Sequence, residues 1–146
     1  MPERIPESFD IEIVYPRCIS WFHDMEEVWW EKKGHDGKPQ FGYHRQKKPK
    51  IWLPPPSSEQ WDKFMGSLKA LGVFSWRSVE IPVPDDIAHL AGYESTGWMI
   101  RFEYPDHNFE ITGPLDKLPE GFDRFCAAIS ELLGGHEFGA DLWKDE

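Results

Sequence analysis

Residues Phe9-Asp10-Ile11-Glu12-Ile13-Val14-Tyr15 alternate apolar and polar side chains. That is the period of a half-buried strand, with Phe9, Ile11, Ile13 and Tyr15 inward. Pro16 closes it. Glu26 to Lys33 and Gln40 to Arg45 flank Gly34-His35-Asp36-Gly37, a turn sequence that predicts a β-hairpin. Pro49 to Leu53 reads as a further short strand, and Pro54-Pro55-Pro56 as a stiff extended connection. Trp98, Ile100, Phe102 and Tyr104 alternate with Met99, Arg101 and Glu103, and Phe109 and Ile111 continue past the Pro105-Asp106-His107 turn, which predicts a second hairpin. Val73 to Ile81 also reads as a strand, and Asp85 to Ala91 as a short helical turn stopped by Gly92.

Two stretches carry the period of an amphipathic helix instead. Trp61, Phe64, Met65, Leu68 and Leu71 share one face. Ser57 with Gln60 fits a capping box at its start, and Gly72 a left-handed stop, so the helix is expected over about 57–71. Phe122, Phe125, Cys126, Ile129, Leu132 and Leu133 form a second such face, expected over about 119–133, with Pro119 in the first turn, Asp116 as the nearest cap and Gly134-Gly135 at the end. The order strands, helix, strands, helix predicts an α+β domain. Its sheet should be mostly antiparallel, with both main helices on one face.

The two halves echo each other. Ile11 to Pro16 parallels Ile100 to Pro105, and Trp61-Asp62-Lys63-Phe64 parallels Phe122-Asp123-Arg124-Phe125, with Leu68 matching Ile129 and Leu71 matching Leu132. Such a pattern suggests an internal hairpin-and-helix duplication, although unrelated amphipathic segments also converge on it. The first half holds the longer excursion between strand and helix. A single domain is expected over 1–146, with a basic, aromatic-rich excursion at 26–53 and an acidic tail at 137–146 that frays unless Leu142 and Trp143 dock it.

Charge sharpens this picture. The chain of 146 residues has a formal net charge of −10. Residues 32–50 run against it, with Lys32, Lys33, Lys38, Arg45, Lys47, Lys48 and Lys50 opposed only by Asp36. The remainder carries nine basic and twenty-five acidic residues, a net −16. So acidic a body repels phosphates and favours basic partners. No apolar run is long enough to span a bilayer. The N-terminus lacks the apolar core of a signal peptide, and Cys18 and Cys126 make no disulfide framework, so a reducing cytoplasm is the expected compartment.

Chemistry-bearing motifs are scarce. There is no phosphate-cradling loop, no nucleophile elbow, no H-E-x-x-H and no C-x-x-C. His23, His35, His44, His89, His107 and His136 do not pair at ligand spacings, and His23 with Asp24 makes only half a site, so no metal and no cofactor is expected. The acid pairs Glu26-Glu27, Asp85-Asp86 and Asp145-Glu146 read as solvated surface. Cys18 lacks a base within obvious reach, and Cys126 falls on an apolar helix face.

The segment 28–52 stands out, because aromatic residues interleave there with cations. Trp29, Trp30, Lys33, Lys38, Phe41, Tyr43, Arg45, Lys47 and Lys48 are the candidate partner-binding residues. Three roles compete for them: packing in the core, a protein interface, and stacking of nucleic-acid bases. Adjacent aromatics on a strand point to opposite faces, so one of Trp29 and Trp30, and one of Trp21 and Phe22, should turn away from the helices. An aromatic-bearing second face suits a partner or another copy of the chain. The sequence therefore reads as a non-enzymatic acidic interaction protein, of the inhibitor or immunity type that neutralises a basic partner. Nucleic-acid binding through 28–52 and a motif-free hydrolase are the alternatives.

Overall fold

The computed structural model describes residues 5–15, 24–34, 36–45, 48–79 and 97–143. Six strands form one antiparallel sheet: β1 (Ser8–Tyr15), β2 (Asp24–Glu31), β3 (Gln40–Arg45), β4 (Ile51–Leu53), β5 (Gly97–Glu103) and β6 (Asn108–Gly113). Their spatial order is β4-β3-β2-β1-β5-β6. Helices α1 (Ser58–Leu71) and α2 (Phe122–Leu132) pack against each other on one face. The expected α+β class, both hairpins and the one-sided helix layer are all present. Among the described residues no helix is long and apolar enough to cross a membrane.

Strand alternation builds the core. Phe9, Ile11, Ile13 and Tyr15 are all buried, while Asp10, Glu12 and Val14 between them are only partly covered. Val28, Trp30, Phe41, Trp98, Ile100 and Phe102 extend the same apolar face. Phe9 sits at its centre, with the rings of Phe41, Trp61, Phe64 and Phe102 all about it at centroid distances of 5.5 to 6.4 Å. Trp30 and Trp98 satisfy their indole N–H groups on the carbonyls of Pro6 (2.9 Å) and Pro114 (3.1 Å), so both rings can be buried without an orphan donor.

Helix α1 starts as its sequence dictates. Ser57 Oγ accepts from the Gln60 N–H at 3.2 Å, and Gln60 Oε1 accepts from the Ser57 N–H at 2.8 Å. Gly72, at φ +71°, ends it. Helix α2 is shorter than expected. Gly121 adopts φ +90° and breaks the helical run between Pro119 and Phe122, and no side chain, Asp116 included, caps the start. Over its described residues, 73–79, the strand expected for Val73 to Ile81 is not formed. Val73–Ser75 is a 3-10 turn, and the following residues run irregularly beside β6, where the Val79 N–H donates to the Thr112 carbonyl at 2.8 Å. Val73 is buried and Trp76 packs on Phe122 and Phe125, so the apolar spacing that looked like a strand serves a turn under α2. The helical turn expected over 85–91 lies outside the described residues, as do Cys18, Trp21 and Phe22.

The pairing gives the sequence echo a spatial meaning. β1 and β5 are adjacent inner strands, and Ile11 lies directly opposite Ile100, the residue it matches in the repeat. β1-β2-α1 and β5-β6-α2 thus run in the same order and meet side by side through β1 and β5. β3 and β4 lie between β2 and α1 in the chain and at one edge of the sheet.

Over its described part the tail packs against the body. Phe138 is buried, its N–H donates to Ser130 Oγ at 2.8 Å, and Leu142 packs partly against the core. Gly139, at φ +77°, brings its backbone against Cys126; a Cβ there would stand 2.6 Å from Sγ.

Candidate functional site on the helix-free sheet face

The register aligns residues in rows across the face opposite the helices. One row runs Trp52, Gly42, Trp29, Asp10, Arg101, Glu110 from β4 to β6. The next holds His44, Glu27, Glu12, Met99 and Thr112. Glu12 therefore lies directly opposite Glu27, while Asp10 sits between Trp29 on one side and Arg101 on the other.

These neighbours make two features. The first is an aromatic ledge. Gly42 has no side chain, and a Cβ there would lie 2.4 Å from Cζ2 of Trp29, so the indole lies across β3. It meets Trp52 edge-on at 5.3 Å, and Lys50 Nζ stands 5.6 Å from its centre, within cation–π range. Trp52 remains 59% exposed, the most exposed large apolar side chain described.

The second is a carboxylate cluster. Oxygens of Asp10, Glu12 and Glu27 lie within 4.8 Å of one another. Arg101 supplies one countercharge, with Nη2 at 3.5 Å from Asp10 Oδ2. Burial, followed by a hydrogen bond and charge repulsion from Glu27 and repulsion from Glu12, pushes the Asp10 carboxyl up to about 8, against the pull of Arg101. Burial and Glu27 also raise Glu12. Asp10 Oδ1 is buried without a hydrogen-bond partner, and so is Arg101 Nε. Arg101 makes the group an ion-paired cluster in which carboxylates outnumber the guanidinium. The ledge and, from the cluster, Asp10, Glu27 and Arg101 border one shallow concavity of about 610 Å³.

The expected partner-binding residues divide between the two faces. Trp29 and Lys33 border the concavity. Trp30 and Phe41 are buried in the core, and Tyr43 packs beside them. Lys38 and Lys48 are exposed, and Lys47 lies outside the described residues. Arg45 turns inward to Glu26, with Nη1 at 3.6 Å from Oε1.

Glu26 itself overturns its reading as surface. It is 1% exposed. It accepts from the hydroxyls of Tyr15 and Tyr43 and, at 3.2 Å, from the Gly139 N–H. The strand alternation that puts Val28 and Trp30 inward puts Glu26 inward too, and that was the available sequence signal. Burial, and then the bond to Glu26, push the Tyr43 phenol up. Cys126 is buried, as expected from its helix face, and its thiol is pushed up by that burial and then by Glu26 and Asp123. A thiol so held is no nucleophile at neutral pH.

No protein-family model, no curated protein and no solved structure matches this chain.

Proposed function

We propose that the chain is a non-enzymatic interaction protein of the inhibitor or immunity type, which neutralises a basic protein through the helix-free face of its sheet. One observation carries this reading: the exposed Trp52 shares one concavity with five carboxylates, those of Glu7, Asp10, Glu27, Glu31 and Glu103, which outnumber its cations Lys33, Lys50 and Arg101. Tryptophan at a partly desolvated surface is a usual anchor of protein contacts, and the excess negative charge selects a basic partner and speeds its approach.

The alternatives fit less well. The same carboxylates oppose a phosphate backbone, and Arg45 is engaged with Glu26 rather than offered outward. Asp10 and Glu27 hydrogen-bond each other once one is protonated. Carboxyl groups that close are nearer than the roughly 5 Å or more that glycoside hydrolysis uses.

Affinity capture from the host lysate, with nuclease present, tests the reading. One stoichiometric basic protein is expected, rebinding when purified and lost with the double variant Trp52→Ala, Glu27→Gln. A partner that binds the double variant as well as the original chain refutes it, as does capture that disappears with nuclease.

A further inference from the structure

Resting on the reading above, the geometry points to an arginine of the partner as the group this face receives. Its guanidinium is held by Asp10, Glu12 and Glu27 beside Trp29, while a neighbouring apolar residue of the same partner segment covers Trp52.

The charges set the need. The groups facing Asp10 are Glu12 on its own strand, Glu27 and Glu31 on β2, and Arg101 and Glu103 on β5, with Lys33 and Lys50 at the rim. Within the cluster three carboxylates meet one guanidinium. Asp10 Oδ1 lacks a donor. A planar guanidinium presents five N–H donors in a fixed fork and can serve several carboxylate oxygens at once, which an ammonium does less well. The protein already uses the neighbouring surface this way, with the Lys50 cation over Trp29. That leaves Trp52 as the open ring.

Distance sets the form of the partner. Trp52 and Asp10 are three strand spacings apart in the row, about 14 Å. One arginine side chain cannot span that, so the occupant is a segment laid across the strands. Entry of the guanidinium also has a proton cost. The O–H of the Asp10 carboxyl breaks, its proton passes to solvent, and the carboxylate pairs with the incoming cation. Binding is then linked to pH, and it tightens as pH rises toward the value at which Asp10 ionises by itself.

The probe is an acetylated, amidated arginine peptide titrated into the ¹⁵N-labelled protein, with the citrulline peptide as uncharged isostere. Shifts are expected at Asp10, Glu27 and the Trp29 indole, saturating near about 1 mM. Affinity should rise by up to about tenfold per pH unit between about pH 6 and 8, and Asp10→Asn should flatten that rise. Equal shifts from citrulline, shifts confined to other acidic surfaces, or an affinity independent of pH would overturn the inference. Its failure is separable from that of the function reading. A captured basic partner that needs Trp52 but ignores Asp10→Asn sinks only the arginine contact. An arginine peptide that titrates as described, with no Trp52-dependent partner, sinks only the function.

Discussion

Replacing Glu26 by Ala removes the acceptor on which the end of the fold converges. The carboxylate is 1% exposed and takes hydrogen bonds from Tyr15, Tyr43 and the Gly139 N–H, with Arg45 at 3.6 Å. Truncation takes the acceptor from the Gly139 N–H and from the Tyr15 and Tyr43 hydroxyls, at about 1–3 kcal/mol for a buried donor that finds no replacement. It also removes one countercharge of Arg45, whose side chain is 22% exposed, so the roughly 3–5 kcal/mol lost when a fully buried pair is broken is an upper bound. These contributions overlap, because all involve the same two oxygens, so the expected total is about 3–5 kcal/mol rather than their sum. For a domain of this size that lowers Tm by about 10–15 °C. Urea unfolding followed by tryptophan fluorescence measures the free energy, and hydrogen exchange reads the location. Protection should fall first at 138–142, because Gly139 is tied directly to the lost carboxylate. Glu26→Gln, which keeps one carbonyl acceptor, should lose about 1–3 kcal/mol. A Glu26→Ala protein within 1 kcal/mol of the original, or one whose 138–142 amides stay protected, would refute this account.

Two further outcomes follow from the core and the cluster. Phe64→Ala and Phe125→Ala should each cost about 3–5 kcal/mol in the same urea assay, since both rings are buried between helix and sheet; a near-zero change in either would mean the helix faces are misplaced. Asp10 has a folded-state pKa raised from 3.8 to about 8. Its neutral form therefore contributes stability that is complete below pH 3.8 and lost as pH rises through about 8. Asp10→Asn mimics the neutral acid, so it should match the original protein near pH 4 and exceed it at pH 9, by about 1–2 kcal/mol once solvent screening is allowed for. Melting curves across that range check the sign, and an Asn variant less stable than the original at pH 9 contradicts it.

Local rules made much of the fold legible. The Ser57 and Gln60 pairing fixed the start of α1, and residue spacing along both helices named the side chains that reach the core. Period-two alternation did the same for β1 and β5. The segment after Gly72 misled because apolar residues every few positions suit a buried turn as well as a strand. The candidate site was less legible for a different reason. Trp29 could be narrowed to one of two faces from its neighbour Trp30. The meeting of Asp10, Glu12, Glu27 and Arg101 depends on the register of β1 against both β2 and β5, and Arg101 is ninety-one positions from Asp10. With 26 acidic residues in the chain, no local pattern selects that trio. Glu26 could have been singled out by alternation, but adjacent acids look like solvated surface until the strand's inward face is known.

The join between β1 and β5 has a kinetic side. Ile11 and Ile100 face each other across an inner seam of the sheet, so the two ββα units can each form locally while their shared seam waits for a long loop to close. Until then each unit presents the same kind of bare strand edge, with Ile11 or Ile100 at its middle. A second chain at the same stage offers an equivalent edge. Crowded refolding should therefore divert molecules into exchanged dimers in which β1 of one chain pairs with β5 of another, and rapid dilution should restore the single-chain seam.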